Sequence, residues 1–284
     1  MRSATSMALR TRQKAGIGLT EPVNPFDLCS TLNVEVRFAD IASMEGMLAR
    51  NPRLTVIVSS ARPPGRQAFT CAHELGHLVL DHASTVDQAC ELTESGLALS
   101  QADHEEVAAD QFAAFLLMPK TAVTAALRDR GLDPTTCDPA DLFALASVFG
   151  VGWITLIAHL RMGLRLISHD RYVALRRIRP SKLRAQLLGQ DCSGLVVVNS
   201  HWRRPFIDTV VGDSVWFPDG RVATQLPTES PEPGGILVTP DEPGTHQLET
   251  QHATPLAIRT MPAGYAGRSL YRYLPPADDD GHDP

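Results

Sequence analysis

The sequence predicts an α+β protein built from a mixed helix-and-strand half and a smaller β-rich module. Three observations point there. Charge and proline shift near residue 190: residues 1–189 hold 20 Lys+Arg against 19 Asp+Glu, and residues 190–284 hold 6 against 13 with more than half of the 21 prolines. Ahead of that point, apolar residues recur with helical and strand periods in turn. Beyond it, short β-prone runs are separated by turn residues. A chain of 284 residues, 43% hydrophobic and 20% charged, can bury one large core or two modest ones and is too apolar for global disorder.

Taken in order, Met1 to Gly18 carries Arg2, Arg10, Arg12 and Lys14 but no apolar block like a signal-peptide core, so secretion is not expected. Pro25 to Leu32 reads as a short helix with Phe26, Leu28 and Leu32 apolar. Residues 33–38 alternate as a half-buried strand does, and the β-branched run 54–59 reads as a more buried strand. Arg62-Pro-Pro-Gly-Arg66 punctuates the chain, and prolines suit a first helical turn, so a long helix is expected from about Gly65 to His82. Residues 84–102 are polar and loop-like. Gln101 to Met118 reads as the next long helix, with Ala108, Phe112, Phe115 and Leu116 on one stripe. Helices are also expected at 121–130, 138–149 and 152–161, the last two joined at Gly150-Val-Gly. After residue 190, strands are expected at 194–199, 212–217 and 235–239. The acidic end, 277–284, reads as a frayed tail.

Composition excludes several classes. No apolar run approaches membrane-spanning length. Five scattered cysteines (Cys29, Cys71, Cys90, Cys137, Cys192) give no disulfide framework and no CxxC pair, which suits a reducing cytoplasm. A net charge of −6 argues against a generic nucleic-acid binder.

One segment carries chemistry: His73-Glu74-Leu75-Gly76-His77, an HExxH. On a helix the two histidines lie about 40° apart around the axis and about 6 Å apart along it, so both rings can reach one ion. Zn²⁺ suits two neutral imidazoles, an oxygen ligand and an open fourth position. Glu74 points to nearly the same side, beside the ion, where it can take a proton from a water the ion holds. The plain alternative is a helix with two solvated histidines. Gly76 argues against it, because glycine costs about 1 kcal/mol in a helix interior and some close approach must offset that.

A third ligand is needed. The metzincin pattern would place glycine and histidine at 80 and 83, where this chain has Leu80 and Ala83. Asp81 lies about 12 Å along the helix from His73, too far for one ion. His82 points off the face. Glu106 on the next long helix is the best candidate, with Asp110 one turn later placed to accept the other N–H of a ligand histidine. Glu105 and His104 remain competitors, and the plain reading of Glu105-Glu106 is a solvated charged face.

Residues 66–77 (Arg-Gln-Ala-Phe-Thr-Cys-Ala-His-Glu-Leu-Gly-His), followed by 106–119 (Glu-Val-Ala-Ala-Asp-Gln-Phe-Ala-Ala-Phe-Leu-Leu-Met-Pro), strongly resemble the ImmA/IrrE family of bacterial metallopeptidases. The resemblance covers roughly residues 20–165. It implies a compact zincin-like domain: a small sheet, a zinc helix, a glutamate helix and a trailing helical unit. It implies Zn²⁺ held by His73, His77 and Glu106, with Glu74 as general base. It also implies cytoplasmic cleavage of a protein partner, a helix-turn-helix transcriptional repressor, in a stress or mobile-element response. One departure is Ala108, where the family often has glutamate. The expected organisation is a peptidase domain at 1–165, a basic linker or helix at 166–189, a β-rich module of unknown role at 190–276 and the tail at 277–284.

Other features are weaker. His169, Arg171 and Tyr172 are candidates for stabilising a transition-state oxyanion, with ordinary surface roles as the plainer reading. The strand at 54–59 could hold an extended substrate by edge pairing. Residues 141–160 have a helix-turn-helix cadence, but Trp153-Ile154-Thr155 lacks the polar side chains that read bases, so packing is the better reading. The basic stretch 161–184 could grip nucleic acid or an acidic partner, and is read first as a solvated linker. Cys71 reads as core. The competing function is a non-catalytic zinc-binding or DNA/protein-binding regulator on the same scaffold.

Overall fold

The computed structural model describes residues 3–82, 86–88, 101–250 and 255–274. Among these, the chain opens with helix α1 (Ala4–Lys14), which starts where the Ser3 hydroxyl accepts the Ser6 N–H. Its buried face contains Ala4, Ala8 and Arg12. Helix α2 (Pro25–Thr31) is capped by the Asn24 side chain, which accepts from Phe26 and Asp27, with Pro25 in the first turn. Three strands follow: β1 (Glu35–Ala39), β2 (Met44–Ala49) and β3 (Thr55–Ser59). Then come α3 (Pro64–Val79), the short strand β4 (Val86–Gln88) and α4 (Gln101–Leu117). Of the polar stretch 84–102, the described part is therefore a strand and a helix start; the rest lies outside the described residues, as does the acidic tail.

The first sheet has the order β4-β2-β3-β1, with β1 parallel to β3 and β2 antiparallel to both its neighbours. Its middle is β3, whose Thr-Val-Ile-Val-Ser run packs as a buried strand should. This corrects the expectation that 54–59 holds substrate by edge pairing: β1 and β2 satisfy both of its edges.

Beyond α4 lie α5 (Lys120–Asp129), α6 (Pro139–Phe149), α7 (Trp153–Ala158), a π turn at His159–Gly163, α8 (His169–Arg176) and α9 (Pro180–Leu188). Helix α6 has an Asp138 cap at its start and Gly150 in the left-handed conformation at its end. The basic stretch 166–189 is thus two helices, and Tyr172, Leu175 and Leu183 sink into the same core as Cys71, Ala72 and Leu75 of α3. Trp153, Leu156 and Ile157 are buried there as well, so the 141–160 cadence is packing.

The last part of the chain is β-rich: β5 (Leu195–Val197), β6 (Phe206–Val210), β7 (Ser214–Phe217), β8 (Val222–Ala223), β9 (Thr228–Glu229), β10 (Ile236–Val238), β11 (Gly244–Thr250), β12 (Leu256–Met261) and β13 (Gly267–Arg268). They form two four-stranded sheets, β5-β7-β10-β9 and β6-β12-β11-β8, which share a core including Trp202, Ile207, Val215, Phe217 and Ile258. Strand β13 instead returns to the first sheet, pairing antiparallel with β1 at Arg37–Arg268 and Phe38–Gly267. A partly buried charge cluster reinforces that return. Asp208 accepts from Asn24, Arg204, Arg259 and Tyr273, while Arg259 and Arg272 reach Asp27 on α2. Burial alone would raise Asp208, but Arg204 and Arg259 hold it below the usual carboxyl range. No single helix among the described residues is long and apolar enough to cross a membrane.

Candidate metal centre

Helix α3 starts at Pro63-Pro64 and is buried on almost every side, with Gln67, Ala68 and every residue from Thr70 to His77 out of solvent. A helix apolar or enclosed all round belongs inside a core, and α3 lies between the first sheet and α4. Burial on both sides fixes the side chains of His73 and His77 relative to one another. Their Nε2 atoms lie 3.0 Å apart.

Glu106 comes to them from α4. Its Oε2 is 3.2 Å from His73 Nε2 and its Oε1 is 3.4 Å from His77 Nε2. The three side chains offer ligand atoms that all lie within 4.8 Å of one another. His77 is almost fully enclosed at 1% exposure, whereas the Glu106 side chain is 39% exposed, so the cluster opens to solvent on the glutamate side. Glu105 and His104 stand on the same helix but are not in the converging set. Ala108 is half-buried against the core.

The outer nitrogens of the two imidazoles are also engaged. His73 Nδ1 lies 2.9 Å from Asp110 Oδ1. A carboxylate only accepts, so that nitrogen carries the proton and neutral His73 has an unprotonated Nε2. His77 Nδ1 lies 3.1 Å from His82 Nδ1. When His77 donates in that contact, its Nε2 is unprotonated too. Two imidazole lone pairs and a carboxylate then converge on one point, an arrangement that a cation satisfies. The spacing fits: donors about 2.05 Å from a tetrahedral zinc stand about 3.3 Å from one another, against the 3.0, 3.2 and 3.4 Å observed. A proton on either Nε2 would instead be donated to Glu106. Such contacts, from His73 first and His77 second, hold the Glu106 carboxyl well below its usual range, and it is ionised at neutral pH.

The close approach of α3 and α4 depends on Gly76. A Cβ there would sit 3.1 Å from Phe112 Cδ1 and 3.3 Å from both the Cα and the carbonyl oxygen of Ala109. This is the packing requirement that offsets a glycine in mid-helix. Glu74 is fully buried and packs against β2. Gly46 on β2 makes room for it: a Cβ at 46 would be 2.8 Å from Glu74 Oε1 and 2.4 Å from Thr70 Cγ2.

His82 is outside the converging set, as expected, but reaches its place by a route other than a continued helix. Extrapolating the helix to His82 turns its ring off the metal face. The helix actually ends at Val79, with Leu80 as cap and Asp81 left-handed at φ 60°. The His82 N–H bonds back to the His77 carbonyl (2.9 Å) and Asp81 N–H to Leu78 (3.3 Å), a Schellman turn that folds His82 over His77. Burial first, and His77 next, push the His82 imidazole below the usual histidine value. The sequence signal was the Asp81-His82 pair, since aspartate tolerates the left-handed region better than most residues.

Other candidates lie elsewhere. Tyr172 is buried in the core, and Arg171 donates to the Cys137 carbonyl. Cys71 is core, with its Sγ 3.8 Å from that of Cys29. Asp81 is 96% exposed.

Residues 29–161 match the family model described as the IrrE N-terminal-like domain, a peptidase family. No curated protein sequence matches the chain. Among solved structures, a Mycobacterium tuberculosis transcriptional regulator is similar at a TM-score of 0.39 and 17% identity, covering 55% of this chain and 46% of that one. The chain therefore spans just under half the length of that regulator.

Proposed function

We propose that this chain, whose residues 29–161 belong to the ImmA/IrrE family as an IrrE N-terminal-like domain, is a zinc-dependent endopeptidase. One observation carries the reading: two imidazole nitrogens and a carboxylate converge at ligand spacing, and a further buried carboxylate, Glu74, lies on the same helix outside that set. In this reading His73, His77 and Glu106 hold Zn²⁺, and Asp110 fixes the tautomer of His73. Bound zinc supplies Lewis acidity: it acidifies water and polarises a carbonyl. Glu74 takes the proton released when water attacks the scissile peptide carbonyl and returns it to the leaving amine nitrogen. Its enclosure between α3 and β2 holds its carboxylate in one place while the proton moves.

The substrate in this reading is a protein partner, a helix-turn-helix transcriptional repressor, cut in the cytoplasm during a stress or mobile-element response. Four described cysteines are free thiols, which suits that compartment. We assign the peptidase unit to residues 1–165 and partner docking or sensing to 190–276. Strand β13 and the Asp208 cluster tie that module to the peptidase sheet.

The test is co-incubation of the purified chain with the product of the adjacent regulatory gene. Wild type cuts it and a chelator stops the reaction. Glu74→Gln keeps its zinc and loses cleavage. Zinc retained with cleavage intact rejects Glu74 as the base.

A further inference from the structure

His73 and His77 are both gripped at the nitrogen that points away from Glu106, but by different partners. For His73 the partner is the Asp110 carboxylate, 2.9 Å away. For His77 it is the ring of His82, with the two Nδ1 atoms 3.1 Å apart. The rings stand nearly edge to face, 5.1 Å between centroids and 70° between planes. An Nδ1–Nδ1 contact of that length needs one proton between the two nitrogens, so one ring donates and the other accepts.

The backbone holds His82 in place from both sides. Its N–H is tied to the His77 carbonyl at 2.9 Å, and its own carbonyl accepts from Arg50 Nη2 at 2.6 Å. Arg50 follows directly on β2, the strand that contains Gly46. The turn after α3 is thus pinned to the end of the same strand that encloses Glu74. The His82 backbone is thereby kept beside His77, and the Nδ1–Nδ1 contact is what holds the ring itself.

We propose that His82 is a positioning residue of the metal centre: its Nδ1 accepts the Nδ1–H of His77 and so fixes the tautomer and ring direction that leave His77 Nε2 as a ligand. This rests on the zinc reading given above. His82 itself touches neither ion nor substrate. It does for His77 what Asp110 does for His73, with a neutral acceptor in place of an anionic one. Two oriented imidazoles cost less to order around an ion than one oriented ring and one that must choose its tautomer, and partners of this kind are worth about 10- to 100-fold in metal affinity.

The experiment is zinc affinity by chelator competition on the full chain, for wild type, His73→Ala, His82→Ala and His82→Asn. The asparagine can present a carbonyl acceptor without an imidazole. Expected is a 10- to 100-fold loss for His82→Ala and recovery of most of it in His82→Asn. Unchanged affinity in His82→Ala, or an equal loss in both variants, overturns the proposal, the second result marking His82 as packing only. Should His82→Ala fail to fold, imidazole ¹⁵N shifts of wild type with zinc decide: an unprotonated His82 Nδ1 supports the role and a protonated one overturns it. The two readings fail separately. Wild type that binds no zinc, or His73→Ala that binds it as well as wild type, removes the metal centre itself. Tight, His73-dependent zinc binding indifferent to residue 82 removes only His82.

Discussion

Gly46→Ala is the substitution that most directly tests whether Glu74 works from an enclosed position. The added methyl would stand 2.4 Å from Thr70 Cγ2 and 2.8 Å from Glu74 Oε1, with Glu74 Cγ at 3.2 Å. Carbon atoms in contact sit about 3.5–4.0 Å apart, so the methyl overlaps Thr70 by roughly 1 Å. Thr70 is β-branched in mid-helix and has few rotamers to escape into. Strand β2 is held by β3 on one edge and β4 on the other and cannot simply back away. Thr70 and Glu74 stand one turn apart on the same helix, so relieving that overlap shifts the helix and moves the Glu74 carboxylate with it. Overpacking of this kind costs about 1–3 kcal/mol of stability. A displacement near 1 Å at a reacting group costs on the order of 10²-fold in rate. The assay combines zinc content, urea unfolding and kcat/KM on the cleaved partner. Expected is full zinc, a stability loss within that range and a drop of about 100-fold in kcat/KM. Wild-type kcat/KM in a folded, zinc-loaded Gly46→Ala protein would refute the enclosed-base reasoning.

Two further perturbations follow from the same geometry. Gly76→Ala gains about 1 kcal/mol of helix propensity but presses on the Ala109 backbone and Phe112. It is expected to be neutral to mildly destabilising in urea, while zinc affinity by chelator competition falls because Glu106 is pushed from the histidines; unchanged affinity contradicts this. His159, at the π turn, donates to the Met118 carbonyl, and burial pushes it down to about 4. Its unfolded value is about 6.5, so between the two the unfolded chain binds more protons. The neutral form's contribution is complete above about pH 6.5 and is lost as pH falls towards 4, about 3 kcal/mol in all. Urea unfolding from pH 7 to 4 should show that slope, and His159→Gln should flatten it; an identical slope in the variant would count against it.

Much of the fold could be read from local sequence because its elements carry local signals. Pro64 starts α3, Asn24 and Asp138 cap α2 and α6, and Gly150 closes α6. The spacing of His73 and His77 and the Glu106-to-Asp110 interval are helix geometry, and helix geometry follows from numbering alone. What stayed hidden was nonlocal. Strand β2, Met-Glu-Gly-Met-Leu-Ala, has no β-branched residue and is a strand because β3 and β4 pair with it. Helix α1 has a weak apolar face, and Arg12 looks like a solvated charge in the sequence. In the structure it is fully buried and donates to the carbonyls of Leu116, Gly18 and Glu21. Burial pushes its guanidinium down to about 10.

The chain by itself set the relative placement of His73, Glu74 and His77, because residues fixed at helical intervals need no partner to acquire their relative directions. Tertiary structure alone decided which carboxylate meets them, how near α4 could come through Gly76, that β3 has no open edge, and that His82 folds back. Each of these depends on contacts between residues far apart in the chain or on one left-handed residue, Asp81, that ends the helix before its period can be extrapolated. Periodicity sets angles within an element; only packing sets distances between them.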